Sequence, residues 1–137
     1  MTHICLKDDA IDVLPMAFLD VAFDVGNLPS MDFSNVRYYH LLCPFIPDYP
    51  QICSSYGSSL FAGTALPDCS FLASDIEKCQ AKGKIVTLSI GGANGDVGFT
   101  SDSQAKEFAD TIWNLFLGGS SSMRPFGNAI LDGYDTV

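Results

Sequence analysis

Lys84-Ile-Val-Thr-Leu-Ser-Ile90 is a β-branched, nearly all-apolar run that stops at Gly91-Gly92, and no other segment constrains the fold as strongly. Its composition is that of a central parallel strand covered on both faces. The flanking segments fit that reading. Before it, Asp68 or Ser70 caps a predicted helix whose inner face takes Leu72, Ile76 and Cys79, and Gly83 sits where a left-handed C-terminal residue is wanted. After it, Ser101 and Gln104 have capping-box spacing and Asp102 lies in the first turn. Ala105, Phe108, Ala109, Ile112, Leu115 and Phe116 then recur at helical spacing until Gly118-Gly119. Asn128 to Tyr134 is the next strand. Ile11 to Leu19 is an earlier one, although Pro15 removes a hydrogen-bond donor from it. The order predicts an α/β fold with a right-handed βαβ unit and a parallel sheet of three visible strands. Residues 20–68 show no sustained period and read as irregular.

With 137 residues, 47% of them apolar and 17% charged, the chain has the make-up of one globular domain. Sixteen acids against seven bases give a net charge of −9, which argues against nucleic acid and anionic membrane as partners, since phosphates would find no counter-charge. A neutral or cationic substrate fits better. No stretch of eighteen apolar residues is present to span a bilayer. The first residues lack the basic and apolar regions of a signal peptide. Five cysteines without a Cys-x-x-Cys pair nevertheless read as disulfides plus one left over, which suits an oxidising compartment. The conflict resolves if the true N-terminus lies upstream of Met1.

Two segments carry candidate chemistry. The glycine-rich turn Ser89-Ile-Gly-Gly-Ala-Asn-Gly-Asp-Val-Gly98 brings backbone close to a ligand or simply makes a tight turn. As a nucleotide cradle it fails, because Gly92, Gly95 and Gly98 lack the dinucleotide spacing and no Gly-Lys-Ser/Thr follows. Asp132-Gly-Tyr-Asp135 ends the last strand, where α/β enzymes place their chemistry. Strand alternation puts 131, 133 and 135 on one face and 132 and 134 on the other, so the two carboxylates straddle the strand. Taken alone they are turn residues or a functional pair. His3 and His40 stand in no metal-ligand spacing with carboxylates, and no metal or cofactor is expected.

Together, Ile11-Asp-Val-Leu-Pro-Met-Ala-Phe-Leu19, Lys84-Ile-Val-Thr-Leu-Ser-Ile-Gly-Gly92 and Arg124-Pro-Phe-Gly-Asn-Ala-Ile-Leu-Asp-Gly-Tyr-Asp135 resemble glycoside hydrolase family 18, specifically the class III chitinases of fungal and plant type. The resemblance covers most of the chain outside residues 36–51. It implies part of a (β/α)8 barrel, in which the segments above are strands two, three and four, with strand one and strands five to eight absent and the barrel not closed. It also implies a secreted enzyme that hydrolyses β-1,4-linked N-acetylglucosamine polymers with retention, the substrate's own acetamido oxygen serving as nucleophile.

The family motif is Asp-x-x-Asp-x-Asp-x-Glu, in which the Glu is the general acid, the third Asp orients the acetamide and the first two support that third Asp. Asp132 and Asp135 match the first two positions. Val137 occupies the third, and the Glu would fall at 139. The resemblance therefore implies that this chain by itself lacks chitinase activity. It further implies that Ser89 bonds the carboxylate cluster and that Phe18, Gly91 and Gly92 line the floor of the sugar site. A catalytically dead, chitin-binding or inhibitor-like member is the alternative.

The resemblance also implies two disulfides, Cys5 to Cys79 and Cys53 to Cys69, which leaves Cys43 as the odd cysteine. Cys43 lies in Val36-Arg-Tyr-Tyr-His-Leu-Leu-Cys-Pro-Phe-Ile-Pro-Asp-Tyr-Pro-Gln51, a stretch that the family pattern does not contain. Val-Arg is compatible with a splice donor and Gln51 with an acceptor, so 36–51 is either a retained intron read in frame or a genuine loop of this protein. On the intron hypothesis the mature message omits these codons, which sequencing the transcript checks. A message that encodes 36–51 and terminates after Val137 refutes it.

Overall fold

A computed structural model describes residues 10–33, 53–57, 59–93 and 95–137. Strands β1 (Val13–Val21), β2 (Ser30–Met31), β3 (Ile85–Ile90) and β4 (Gly133–Thr136) form one open sheet in the order β2-β1-β3-β4. Helix α1 (Ala73–Ala81) precedes β3, and α2 (Asp102–Phe116) joins β3 to β4. β3 pairs in parallel with β1 on one edge and β4 on the other, while β2 returns antiparallel to β1. The segment 36–51, together with Cys5, Cys43, His3 and His40, lies outside the described residues, so the pairing of Cys5 with Cys79 does too.

The helices begin and end for reasons legible in the sequence. Ser101 Oγ accepts from the Gln104 N–H at 3.2 Å, as a cap should. Gln104 Oε1 accepts from the N–H of Thr100 at 2.7 Å rather than from that of Ser101, so the reciprocal half of the capping box is displaced by one residue. α1 starts at Ala73, after a 3-10 turn at Ser70–Leu72 whose N-cap position is Cys69; Asp68 Oδ1 accepts from the Ser70 N–H at 3.1 Å just before it, and Gly83 follows α1 with φ +78°. Cys53 and Cys69 form a disulfide with their Cα atoms 5.5 Å apart.

Val86, Leu88 and Ile90 point to one side of the sheet, where they join Leu14 and Met16 against Ile76 and Cys79 of α1 and Phe108, Ile112, Leu115 and Phe116 of α2. Full burial of each such side chain contributes about 1.5–3 kcal/mol. Ala109, placed by periodicity on the inner face of α2, is exposed. β3 also departs from the expectation of cover on both faces. Among the described residues only one face is packed by helices, and Ile85 and Val13, paired across the other, are each 48% exposed.

The strand limits shift for identifiable reasons. β1 runs to Val21 rather than Leu19, because Leu19 and Val21 pair with Met31 and Ser30 in a hairpin not expected from the irregular-looking segment 20–68. Pro15 is accommodated within β1. The Ile85 N–H donates to Asp12 O, so alternation turns the backbone of Leu14 and Met16 toward β3 and that of Pro15 away. β4 begins at Gly133, not Asn128. The Leu131 N–H is taken by Phe116 O, and the first bond to β3 is from Asp132 N–H to Val86 O.

The hairpin brings Asp20 near Asp32, and Ser30 Oγ donates to Asp20 Oδ1 at 3.4 Å. Burial, and secondarily the Asp32 charge, raises the Asp20 pKa above its ordinary value. A carboxyl whose pKa is higher folded than unfolded binds its proton more tightly in the folded state. It therefore favours folding below the unfolded pKa, and that contribution is lost as pH rises through the folded pKa. Asp20→Asn is expected to raise the melting temperature at pH 7 and to lose this advantage near pH 3, as thermal unfolding across pH will show; an equal effect at both pH values contradicts the assignment. Ser101→Ala should cost about 1 kcal/mol in chemical denaturation through loss of the α2 cap.

Candidate functional site

The second face of the sheet carries the polar groups. Register pairs Ser89 with both Ala17 and Asp135, and Thr87 with both Pro15 and Gly133. Thr87, Ser89 and Asp135 consequently share one face toward the C-terminal ends of the parallel strands. Asp135 is gripped at both oxygens. Ser89 Oγ donates to Oδ1 at 2.6 Å and Thr87 Oγ1 to Oδ2 at 2.9 Å. Hydrogen bonds to an ionised group are short and strong, and two of them from one rigid strand fix the plane of the carboxylate. Ser89 is only 2% exposed, so its hydroxyl is held in place by packing as well.

Asp132 is not brought to this cluster. Its Oδ2 accepts from the Val86 N–H at 2.8 Å and from Gln80 Nε2 at 3.0 Å, while its own N–H donates to Val86 O at 2.9 Å. Side chain and main chain thus bracket one residue of β3, and Gln80 of α1 completes the arrangement by donating to Ile130 O at 2.7 Å. The straddling geometry read from alternation is what the structure contains. Asp132 pins the start of β4 from the helix side, and Asp135 faces the open side.

The turn after β3 closes the far end of the site. Gly91 (φ +114°) and Gly92 (φ +98°) occupy backbone conformations that disfavour other residues. A Cβ on Gly91 would collide with the carbonyl oxygen of Val137, and one on Gly92 would stand 3.1 Å from the Phe18 ring. The backbone of Phe18 is locked to Asp32 by reciprocal N–H to O bonds of 3.0 and 2.9 Å. The Ala17–Phe18 peptide bond is cis. Phe18, Gly91, Gly92, Ser89 and Asp135 are therefore neighbours along one rim. Val137, two residues beyond Asp135 and on the same face, presents an exposed isopropyl group there.

Sequence reasoning did not single out Thr87 or Gln80. Thr87 was findable, because it lies two residues before Ser89 on one strand and so shares its face. Gln80 was not, since its role depends on how α1 lies against the start of β4. Asp20 and Asp32 add two further carboxylates on the β1–β2 hairpin beside Phe18. Among the described residues no group of three or more His, Cys, Asp and Glu is placed to hold a metal ion.

No protein-family model matches the chain. It is similar to Chitinase 2 of Rhizopus oligosporus, with 42% identity over 125 residues that make up 91% of this chain and 19% of that protein. Endochitinase 3 of Metarhizium anisopliae is 40% identical over 133 residues, 94% of this chain and 40% of that one. The chain thus spans less than half the length of either relative. Among solved structures, the chitinase ICChI of Ipomoea carnea matches 98% of this chain and 40% of its own with a TM-score of 0.69 and 29% identity. The xylanase and α-amylase inhibitor protein XAIP-II of Scadoxus multiflorus matches with a TM-score of 0.65 and 26% identity, covering 99% of this chain and 39% of its own. Shared sequence along nine tenths of its length and a shared backbone path place this chain in the chitinase family of glycoside hydrolase family 18.

Proposed function

We propose that residues 1–137 form the part of a chitinase-like glycoside hydrolase that holds the floor of the sugar site and its supporting carboxylate. The ligand class is β-1,4-linked N-acetylglucosamine oligosaccharide, and the setting is extracellular. The described sheet then corresponds to strands two, three and four of a (β/α)8 barrel, with β2 as a hairpin return on the first of these. The observation that carries this reading is the doubly anchored Asp135 at the C-terminal strand ends, beside the Phe18–Gly92 floor.

In substrate-assisted retaining hydrolysis the acetamido oxygen attacks the anomeric carbon while a general acid protonates the departing oxygen. Asp135, fixed by Ser89 and Thr87, supplies oriented negative charge beneath the acetamide position, and Asp132 keeps the strand that carries Asp135 in register. Val137 stands where the family motif has its acetamide-orienting Asp, and an isopropyl group neither accepts a hydrogen bond nor offsets developing positive charge. In this reading residues 1–137 supply the supporting part of the catalytic motif, Asp132 and Asp135, and with Val137 at the orienting position they are not a catalyst by themselves. A non-catalytic, chitin-binding or inhibitor-like family member is the second reading, favoured by Val137 itself.

Two measurements test the first reading. Release of fluorophore from a fluorogenic N-acetylglucosamine oligosaccharide should stay at background for the 137-residue chain; turnover that Asp135→Asn abolishes would overturn the assignment of inactivity. Retention on chitin beads, competed by soluble N-acetylglucosamine oligosaccharides and weakened about tenfold by Phe18→Ala, is expected if the floor binds sugar, a tenfold loss being about 1.4 kcal/mol. Beads that retain both forms equally would remove Phe18 from the site.

A further inference from the structure

Between the end of α2 and the start of β4 the chain runs without regular structure, and one side chain holds most of that stretch. Arg124 spends its guanidinium on main-chain carbonyls alone. Nε donates to Gly127 O at 3.1 Å; Nη1 donates to Asn114 O at 2.8 Å and Gly119 O at 3.2 Å; Nη2 donates to Leu117 O at 3.0 Å and Ala129 O at 3.1 Å. The ion pairs among the described residues are Lys78–Asp75 and Lys106–Asp110, so the Arg124 charge is balanced by peptide dipoles. Asn114 and Leu117 belong to the C-terminal end of α2, where the last carbonyls must find partners outside the regular helix ladder and carry the negative end of the helix dipole. Gly127 and Ala129 belong to the lead-in of β4. Burial lowers the pKa of Arg124 from its ordinary value, but a guanidinium in a protein stays protonated.

We propose that Arg124 is a positioning residue for Asp135, tying the end of α2 to the lead-in of β4 so that Asp135 comes to rest opposite Ser89. This rests on the reading of Asp135 as the site carboxylate. The need for such a device follows from strand geometry. β4 has four residues, and a slide of one residue along β3 would be resisted because it turns Asp135 toward the helices. A slide of two keeps every side chain on its own face and would set Gly133 or Val137 opposite Ser89 instead. Face preference therefore does not resist the slide of two, and anchors upstream of the strand must. Asp132 is one such anchor, and Arg124 fixes the chain that leads to it. The carbonyls of Gly127 and Ala129, occupied by Arg124, are also withdrawn from pairing with β3, which sets how early the ladder starts. Lysine, a point charge with three donors, cannot reproduce a planar fork that reaches five carbonyls.

The test is hydrogen exchange and NMR on the 137-residue chain, with no substrate. In Arg124→Ala, the amides of Asp132 and Val137, which bond Val86 O and Ile90 O, should exchange about a hundredfold faster by local opening. The amides of Ile85 and Gly91, which hold β3 to β1, should keep their protection, and the Asp135 carboxyl carbon resonance should move. Millimolar guanidinium, but not ammonium, should restore both signals. If Arg124→Ala does not fold, Arg124→Lys carries the same measurements, because it retains charge without the fork. Unchanged exchange at Asp132 and Val137 overturns the proposal, and so does an equal loss of protection at all four amides. Phe126→Leu, which loosens the same loop through packing, should not respond to guanidinium. Failure of sugar binding on chitin beads would refute the functional reading without altering any of these readouts.

Discussion

β3 is the member on which the rest of the sheet depends. It is hydrogen-bonded in parallel on both edges, so it fixes β1 and β4 in one plane and one direction, and its alternating side chains divide the molecule into two compartments. Val86, Leu88 and Ile90 go to the helices and make the apolar core, while Thr87 and Ser89 go to the opposite face and make the seat for a carboxylate. A single six-residue strand thereby links stability to the site. The core that immobilises β3 also immobilises the two hydroxyls that orient Asp135.

The same logic separates Asp132 from Asp135, although only two residues stand between them. One contributes to register by bracketing Val86 through its amide and its carboxylate; the other contributes charge on the open face. A motif that reads as a pair in sequence is therefore two devices in space, one mechanical and one electrostatic. Arg124 extends the mechanical part upstream. Peptide carbonyls at a helix end carry partial negative charge, and those of Asn114 and Leu117, with three more from Gly119, Gly127 and Ala129, make a binding site for a guanidinium within the chain itself.

How much of this was legible varies from element to element, for physical reasons. α2 was read almost to the residue, because a cap, a period of 3.6 and a glycine stop are local signals that agree. The hairpin return at β2 was missed, since two residues in a stretch rich in proline and small polar side chains carry no periodicity of their own and become a strand only by pairing with β1. The start of β4 was placed five residues early, because Asn128 to Leu131 has strand-like composition while its backbone groups are claimed by Arg124 and by Phe116 O. The apolar composition of β3 predicts cover on both faces, yet among the described residues helices pack on only one of them.

By itself the sequence determined the parallel α/β arrangement, the faces of the helices and the strand-end location of the carboxylates, since these follow from short-range spacing and periodicity; the family resemblance rests instead on whole motifs, residue by residue. It also determined that Asp132 and Asp135 fall on opposite sides, because strand alternation has a period of two whatever the fold. The tertiary structure alone decided what each carboxylate touches. Whether Asp135 meets Ser89 and Thr87, or Asp132 meets Val86 and Gln80, depends on the register between strands that lie more than forty residues apart. That register is set by long-range hydrogen bonds and by the clamp at Arg124, neither of which leaves a local pattern in the chain.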